Sequence, residues 1–398
     1  MIILGLNSGT SRDGISGVIF DLRTVFPHPV FNLLWHQEFP YPKSVLNFFS
    51  QLEKNPALEI LSRADFFLGE VFAETSQKII KKSGLSPNKI DLIASHGQTI
   101  AHFPKPKKIG KYNISATVQL GELSVIAQRT GITTVGNFRA GDIAGGGEGA
   151  PILAYSEFLL FGSKNKSRMI LNLGGIANFT LIPKRAKPEQ IRAMDAGVCN
   201  IFLDQLIQIL TEDKLRFDRN GKIAQKGKVR PGWKEHLLKH LLFRPGRSKS
   251  LCARHYQREW IKKVLSPLKI SGERKRADLL RSGVRAVAEM IYQVYSDNFK
   301  DNPIDELVIS GGGAKNQALI LEIKEVFKKK VILSSELGIP LQAKEPIGFG
   351  ILAMLCLLGK EVDLRSITGA RALSILGQIA PGKNWGKLLK KLTKGVKQ

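Results

Sequence analysis

The sequence predicts an α/β protein of two domains with a duplicated architecture. Residues 2–20 read as an apolar strand, a glycine turn and a second apolar strand. Residues 169–182, M-I-L-N-L-G-G-I-A-N-F-T-L-I, repeat that shape. Elsewhere short buried-type strands alternate with helical patterns, as an α/β fold requires. Two strand–turn–strand units, each opening an α/β half, point to duplication rather than to one doubly wound sheet. At 398 residues the chain is also long for a single core.

Each element has its own signal. Residues 30–40 read as a third strand, and residues 43–51 begin a helix. In residues 58–83, Ile60, Leu61, Phe67, Leu68, Val71, Phe72, Ile79 and Ile80 recur at helical spacing, closed by Gly84. Residues 90–94 form a short strand ending in S-H-G-Q-T, and open α/β sheets place ligand sites at such strand ends. A helix closed by Gly131 leads to a strand at 132–135 and the loop N-F-R-A-G-D-I-A-G-G-G-E-G. Pro151 suits the first turn of a helix over 151–161. Helices follow at 201–210, 276–299, 318–327 and 346–358, with strands at 307–310 and 331–333. The end reads as an exposed helix or tail.

Composition narrows the class. Hydrophobic residues make up 43% of the chain, which suits a folded domain rather than disorder. No apolar run reaches the ~20 residues that span a bilayer, and no basic segment precedes the first apolar run, so a cytoplasmic protein is expected. Cys199, Cys252 and Cys356 are too scattered for a disulfide framework or a zinc site. The net charge of +26 would suit nucleic acid or draw in anionic small molecules. Its excess lies between residues 214 and 285 and in a lysine-rich end after Pro381. No nucleic-acid motif accompanies it, so a basic, solvated surface is the simpler expectation and nucleic acid is not an expected partner.

Four glycine turns follow strands, at 9–14, 145–149, 174–175 and 311–313. None is a Walker loop or a G-x-G-x-x-G turn. The first, with Thr10, Ser11, Arg12 and Asp13, suits a phosphate ester and its metal ion, because small residues expose backbone N–H groups and Asp13 can hold Mg²⁺ or its water. An ordinary hairpin turn fits the same residues. Ser310 to Asn316, S-G-G-G-A-K-N, lets backbone approach a flat ring or a phosphate. Asp195, in A-M-D-A-G-V-C-N, reads as a carboxylate between a strand end and a helix start. There it can take a proton from an attacking hydroxyl or water, or cap the helix. His96 and His102 read as hydrogen-bonding groups rather than metal ligands. Arg139 and Asp142 fit a polar, carboxylate-bearing ligand or an internal ion pair.

Eight stretches in this order carry a resemblance: G-L-N-S-G-T-S-R-D-G-I, S-H-G-Q-T-I-A-H-F-P, T-V-Q-L-G-E, F-R-A-G-D-I-A-G-G-G-E-G-A-P, L-N-L-G-G-I-A-N-F-T, D-A-G-V-C-N, S-G-G-G-A-K-N and I-T-G-A-R. Over residues 2–381 the chain resembles the anhydro-N-acetylmuramic acid kinase family of bacterial cell-wall recycling. The resemblance implies the two-domain actin-like ATPase fold of sugar kinases, Hsp70 and actin, with ATP in the interdomain cleft. It implies one domain from residues 1–130 plus 345–398 and another from 131–344.

It also implies roles. Gly9, Thr10, Ser11, Arg12, Asp13, Gly14, Ile15 and Ser16 would form the first phosphate turn, with Asp13 near Mg²⁺. Gly174, Gly175 and Asn178 would form the second, and Gly311, Gly312, Gly313 and Asn316 the nucleotide-side turn. His96, Gln98, Thr99, Arg139, Asp142 and Glu148 would lie on the sugar side. Asp195 would be the catalytic base that activates water to open the 1,6-anhydro bridge, and O6 would then take the γ-phosphate of ATP. The chain departs from the family's D-T-G-P-G-N at Ala196, Val198 and Cys199, and from its other motifs at Asn7, Arg12, Asn137 and Glu148. A kinase of this fold for another sugar or hydroxy acid, and an inactive nucleotide-binding homologue, remain the alternatives. The expected partner is a small sugar, without membrane insertion and with a homodimer left open.

Overall fold

The computed structural model describes residues 1–9, 12, 14–54, 57–242, 258–268, 270 and 272–395. The first unit opens with β1 (Ile2–Ser8), β2 (Gly14–Thr24) and β3 (Val30–Pro40), an antiparallel meander. Helices α1 (Lys43–Lys54) and α2 (Leu58–Lys82) follow. α2 buries Ala64, Leu68, Phe72, Ser76 and Ile79, a spacing of three or four residues that keeps one face on the core. Next come β4 (Leu92–Ile109), β5 (Tyr112–Leu120), α3 (Leu123–Thr130), β6 (Thr134–Gly136), α4 (Phe138–Ala144) and α5 (Ala154–Phe161). Gly131 ends α3 at φ +72°, a conformation glycine adopts without steric cost.

The second unit comprises β7 (Arg168–Leu173), β8 (Ile176–Ile182), β9 (Arg192–Val198), α6 (Asn200–Leu210), α7 (Lys222–Lys226), α8 (Pro231–Leu241), α9 (Arg258–Leu265) and α10 (Glu273–Phe299). It ends with β10 (Glu306–Ser310), α11 (Gln317–Phe327) and β11 (Lys330–Leu333). α10 buries Leu280, Val284, Val287, Ile291 and Val294 along one stripe. The chain then returns to the first unit with α12 (Lys344–Leu357), α13 (Arg365–Thr368), β12 (Gln378–Ala380) and α14 (Trp385–Gly395).

The two sheets share one plan. In the first the order is β12-β6-β4-β1-β2-β3, with β5 on β4; in the second it is β11-β10-β7-β8-β9. Each is built on an antiparallel three-strand meander, and β4 and β10 join parallel to β1 and β7. β6 and β11 extend each sheet in parallel again. Leu171 and Asn172 before the second glycine turn echo Leu6 and Asn7 before the first.

Several expectations are corrected. The first unit runs through Leu160 and resumes at Ala343, and the second covers most of residues 161–342. The division expected at 130/131 fails because β6 is hydrogen-bonded to β4 in the first sheet. Residues 138–144 form a helix, not a loop, and the next helix begins at Ala154 rather than Pro151. β4 does not stop at residue 94 but continues through His96 and Gln98. The basic end is a docked helix: Asn384 accepts from the Thr133 N–H at 2.7 Å, and Leu388 is 2% exposed. Lys391 there pairs with Asp91 at 2.6 Å. Among the described residues no helix is long and apolar enough to cross a membrane.

Candidate functional site

In the second unit a polar row crosses four strands. Ser310 of β10 stands opposite Asn172 of β7, Asn172 opposite Asn178 of β8, and Asn178 opposite Asp195 of β9. Directly paired residues project from the same face, so these four polar side chains line one face of a sheet whose flanking residues are buried. A register shift between Ala177 and Asn178 re-aims the strand at this point. Asp195 therefore sits inside a strand and caps no helix; α6 starts at Asn200. Gly197 is two residues on, where a Cβ would come within 2.2 Å of Met290 Sδ. Glycine there lets α10 close onto the strand that carries Asp195.

The second glycine turn is held from behind. The N–H groups of Cys199 and Asn200 donate to the carbonyls of Gly175 (2.9 Å) and Gly174 (3.1 Å), and that of Ile201 to Gly175 (3.2 Å). In a planar trans peptide the C=O and the following N–H point in opposite directions. The N–H groups of Gly175 and Ile176 thus face away from α6, as an anion-binding turn needs. Asn200 Nδ2 donates to the carbonyl of Leu173 at 3.0 Å. Gly311 adopts φ +87°, and a Cβ there would come within 2.7 Å of Asn172 Oδ1 and 2.8 Å of the Leu173 carbonyl oxygen. A Cβ on Gly312 would meet only Asn200 Nδ2, at 3.9 Å, which leaves that side of the turn open to close approach. Asn316 caps α11, accepting from the Leu319 N–H at 3.1 Å.

In the first unit Thr10, Ser11 and Asp13 lie outside the described residues. The Arg12 N–H donates to the Gly9 carbonyl at 3.2 Å, and the guanidinium lies over the Phe49 ring. Gly14, Ile15 and Ser16 belong to β2 rather than to the turn. Ile15 is 1% exposed and packs in the core, so its side chain reaches no ligand. Ser16 Oγ faces His36 Nε2 at 3.4 Å. Gln98, fully buried, braces the turn: Nε2 donates to the Gly9 carbonyl at 3.2 Å, and Oε1 lies 2.7 Å from Ser8 Oγ. Asn7 Nδ2 donates to Glu345 at the start of α12 at 2.5 Å.

A second cluster surrounds Arg139. Its Nε donates to His96 Nε2 at 3.0 Å and its Nη1 to the Gly149 carbonyl at 2.7 Å. His96 therefore carries its proton on Nδ1, facing the Gly97 carbonyl at 3.1 Å, and stacks on Phe349. Burial, then the Arg139 charge, hold His96 well below the usual imidazole range. The same two causes push His102 down to about 4. Asp142 turns inward: one oxygen accepts from Thr368 Oγ1 and the other from the Gly149 N–H, both at 2.7 Å. Burial raises its pKa against those bonds. Asp142 thereby shapes the turn at residues 145–149, which carries Glu148, whose N–H donates to the Thr368 carbonyl at 2.9 Å. Thr99 projects from β4 and accepts from Gln119 Nε2 at 3.3 Å.

The structure brings Asp195 and Asn178 together, and likewise His96, Arg139, Asp142 and Glu148. Asn172 was passed over in the sequence, Asn7 was noted only as a departure from the family, and Gln119 was passed over. The leucine–asparagine step repeated before both glycine turns was the available signal for the first two.

Two units that share a five-strand order, each opened by a hairpin with a glycine turn, define a duplicated α/β protein. Residues 1–382 match the family described as anhydro-N-acetylmuramic acid kinase. A relative of that name from Caldanaerobacter subterraneus subsp. tengcongensis is 34% identical over 383 residues, covering 95% of this chain and 96% of the relative. One from Salinibacter ruber is 32% identical over 386 residues, covering 96% of each. Among solved structures, an activator of 2-hydroxyisocaproyl-CoA dehydratase from Clostridium difficile with bound ADPNP overlaps 89% of this chain and 94% of its own. Its identity is 14% and its TM-score 0.43. The chain belongs to the anhydro-N-acetylmuramic acid kinase family.

Proposed function

We propose that this protein uses ATP to convert 1,6-anhydro-N-acetylmuramic acid and water into N-acetylmuramic acid 6-phosphate and ADP. The family match over residues 1–382 supports the substrate and disfavours another sugar or an inactive homologue. The observation that carries the chemistry is the row that sets Asp195 opposite Asn178 on a polar sheet face. A half-buried carboxylate so placed can take a proton from water as its oxygen bonds to the anomeric carbon and the C1–O6 bond breaks. O6 then attacks the γ-phosphorus, and the bond to the ADP oxygen breaks. Phosphoryl transfer asks the protein mainly for positioning and charge neutralisation. The N–H groups of the turn at 174–175 and the open side of Gly312 suit that task.

Among the described residues no group of three or more His, Cys, Asp or Glu could hold a metal ion. A phosphate-bound Mg²⁺ needs only one or two carboxylates, and Asp13, outside the described residues, is the residue we assign to one brought in with ATP. Bound there, Mg²⁺ would neutralise phosphate charge. Arg139, held between His96 and Gly149, is the cation we assign to the carboxylate of the muramic acid. Incubation with Mg-ATP and the anhydro-sugar tests the reading: it expects the 6-phosphate, and turnover of a different sugar alone overturns it.

A further inference from the structure

Beyond Gln98 the strands β4 and β5 leave the first sheet and, among the described residues, pair only with each other. β4 holds β1 through Gln98 and β6 through Ser95. From there the β4–β5 ladder runs on to a turn at Gly110 and Lys111. Directly paired residues share a face: Ile109 stands opposite Tyr112, Lys107 opposite Ile114 and Phe103 opposite Ala116. Tyr112, Ile114 and Ala116 alternate along β5, so these six side chains lie on one face of the ribbon. Phe103 is 59% exposed, Ile109 61%, Tyr112 60% and Ile114 44%. A two-stranded ribbon has little stability of its own in water, and a bare apolar face of this kind marks an interaction surface.

Charge selects what packs there. Residues 99–120 contain Lys105, Lys107, Lys108 and Lys111 and no Asp or Glu. All four lysines are exposed, and none forms an ion pair among the described residues. Lys111 Nζ instead lies 5.3 Å from the centroid of the Tyr112 ring, close enough for the ring to attract the cation. A second copy of the chain would bring the same four cations and a net charge of +26, so like charges oppose self-association through this face. Pro104, Pro106 and the lysines also blunt the ribbon's edges against pairing with another strand. The partner must therefore offer negative charge and an apolar layer together. A bilayer with anionic headgroups does: it takes lysines at the headgroups, tyrosine at the interface and isoleucine just beneath. A nucleic-acid backbone supplies the charge but no place for two isoleucines.

We propose that the end of the β4–β5 hairpin is a docking surface for an anionic phospholipid membrane, with Ile109 and Tyr112 at the contact and the four lysines around them. The contact is peripheral: apolar side chains at a turn reach the boundary between headgroups and acyl chains and no further. Apolar area and electrostatic attraction add in such binding, and salt screens only the second. The proposal goes beyond the kinase reading and does not depend on it.

Co-sedimentation of the full chain with vesicles tests this. Vesicles of phosphatidylcholine mixed with phosphatidylglycerol should bind the protein about tenfold or more tightly than vesicles of phosphatidylcholine alone. Because the whole chain is basic, the deciding variant changes no charge. Ile109→Ser combined with Tyr112→Ser should weaken binding to the anionic vesicles by about tenfold or more. Lys107→Gln combined with Lys108→Gln should weaken it by about tenfold. An unchanged melting temperature verifies that both variants fold. In wild type, anionic vesicles should slow amide hydrogen exchange over residues 105–114, a readout that needs no variant. Equal binding by the serine variant would reveal adhesion through net charge alone and overturn the docking surface. Binding to duplex DNA that the serine changes weaken, without binding to vesicles, would overturn it as well. So would a dimer in sedimentation that the serine changes dissolve, because a second copy then covers the face.

Discussion

Arg139 donates from Nε to His96 Nε2 across 3.0 Å, and that bond fixes the state of both groups. The imidazole can accept only while neutral, and a proton on it would set two cations against each other in a buried place. The guanidinium in turn is held flat between His96 and the Gly149 carbonyl. A fork of donors held this way is preorganised for a carboxylate.

Arg139→Lys should therefore harm sugar binding rather than nucleotide binding. A lysine cannot make both bonds of the fork, and hydrogen bonds to charged groups contribute about 1.5–3 kcal/mol. We expect KM for the muramic sugar to rise about tenfold or more, with KM for ATP little changed. Initial rates with each substrate varied check this; an equal rise for both would remove Arg139 from sugar recognition.

Asp195→Asn should abolish proton removal while keeping the strand pairing of β8 and β9. Loss of a general base typically lowers turnover by about 10²–10⁴-fold. Nucleotide affinity, read by calorimetry, should persist. Wild-type turnover in the variant would take Asp195 out of the mechanism.

Lys344 and Glu157 form an ion pair that is almost fully buried between α12 and α5. Removing one partner strands a charge, so Lys344→Ala should cost about 3–5 kcal/mol in urea unfolding. The double change Lys344→Met with Glu157→Leu should recover most of that loss. If the double variant is as unstable as the single one, the pair is needed for more than mutual neutralisation.

Acid should weaken the first unit. The folded-state pKa values of His96 and His102 both lie below the ordinary 6.5, with His102 at about 4. The unfolded chain thus takes up protons first, and their contribution is full above pH 6.5 and lost as pH falls toward 4. Asp142, raised by burial, acts in the opposite sense at the acid end. Melting temperatures from pH 7.5 to 4.5 should fall, and His102→Gln should flatten the fall. Parallel profiles for the two proteins would contradict the assignment.

Local pattern explains much of the fold. The apolar stripes of α2 and α10, and the glycine turns between paired strands, need only neighbouring residues to declare themselves. Asp195 was harder. Its strand is short and continues past the carboxylate to Val198, so a strand end was read where the ladder goes on. Residues 138–144 look like a loop because the glycine-rich stretch 145–149 follows them directly. They are helical because Asn137 takes φ +51° before the first turn and Asp142 ties the helix to Thr368 and Gly149. Ile15 sits beside the turn in sequence, yet alternation along β2 sends its side chain into the core.

By itself the sequence determined the α/β class of the fold and its duplication, because hydrophobic period and turn chemistry are local properties. Tertiary structure alone decided which polar residues share a face. Asn172, Asn178 and Asp195 come into line only through strand register. His102 joins Thr99 only because one register shift turns the strand over. Register and bulges are set by how separate strands pair, and no single stretch of chain contains that information.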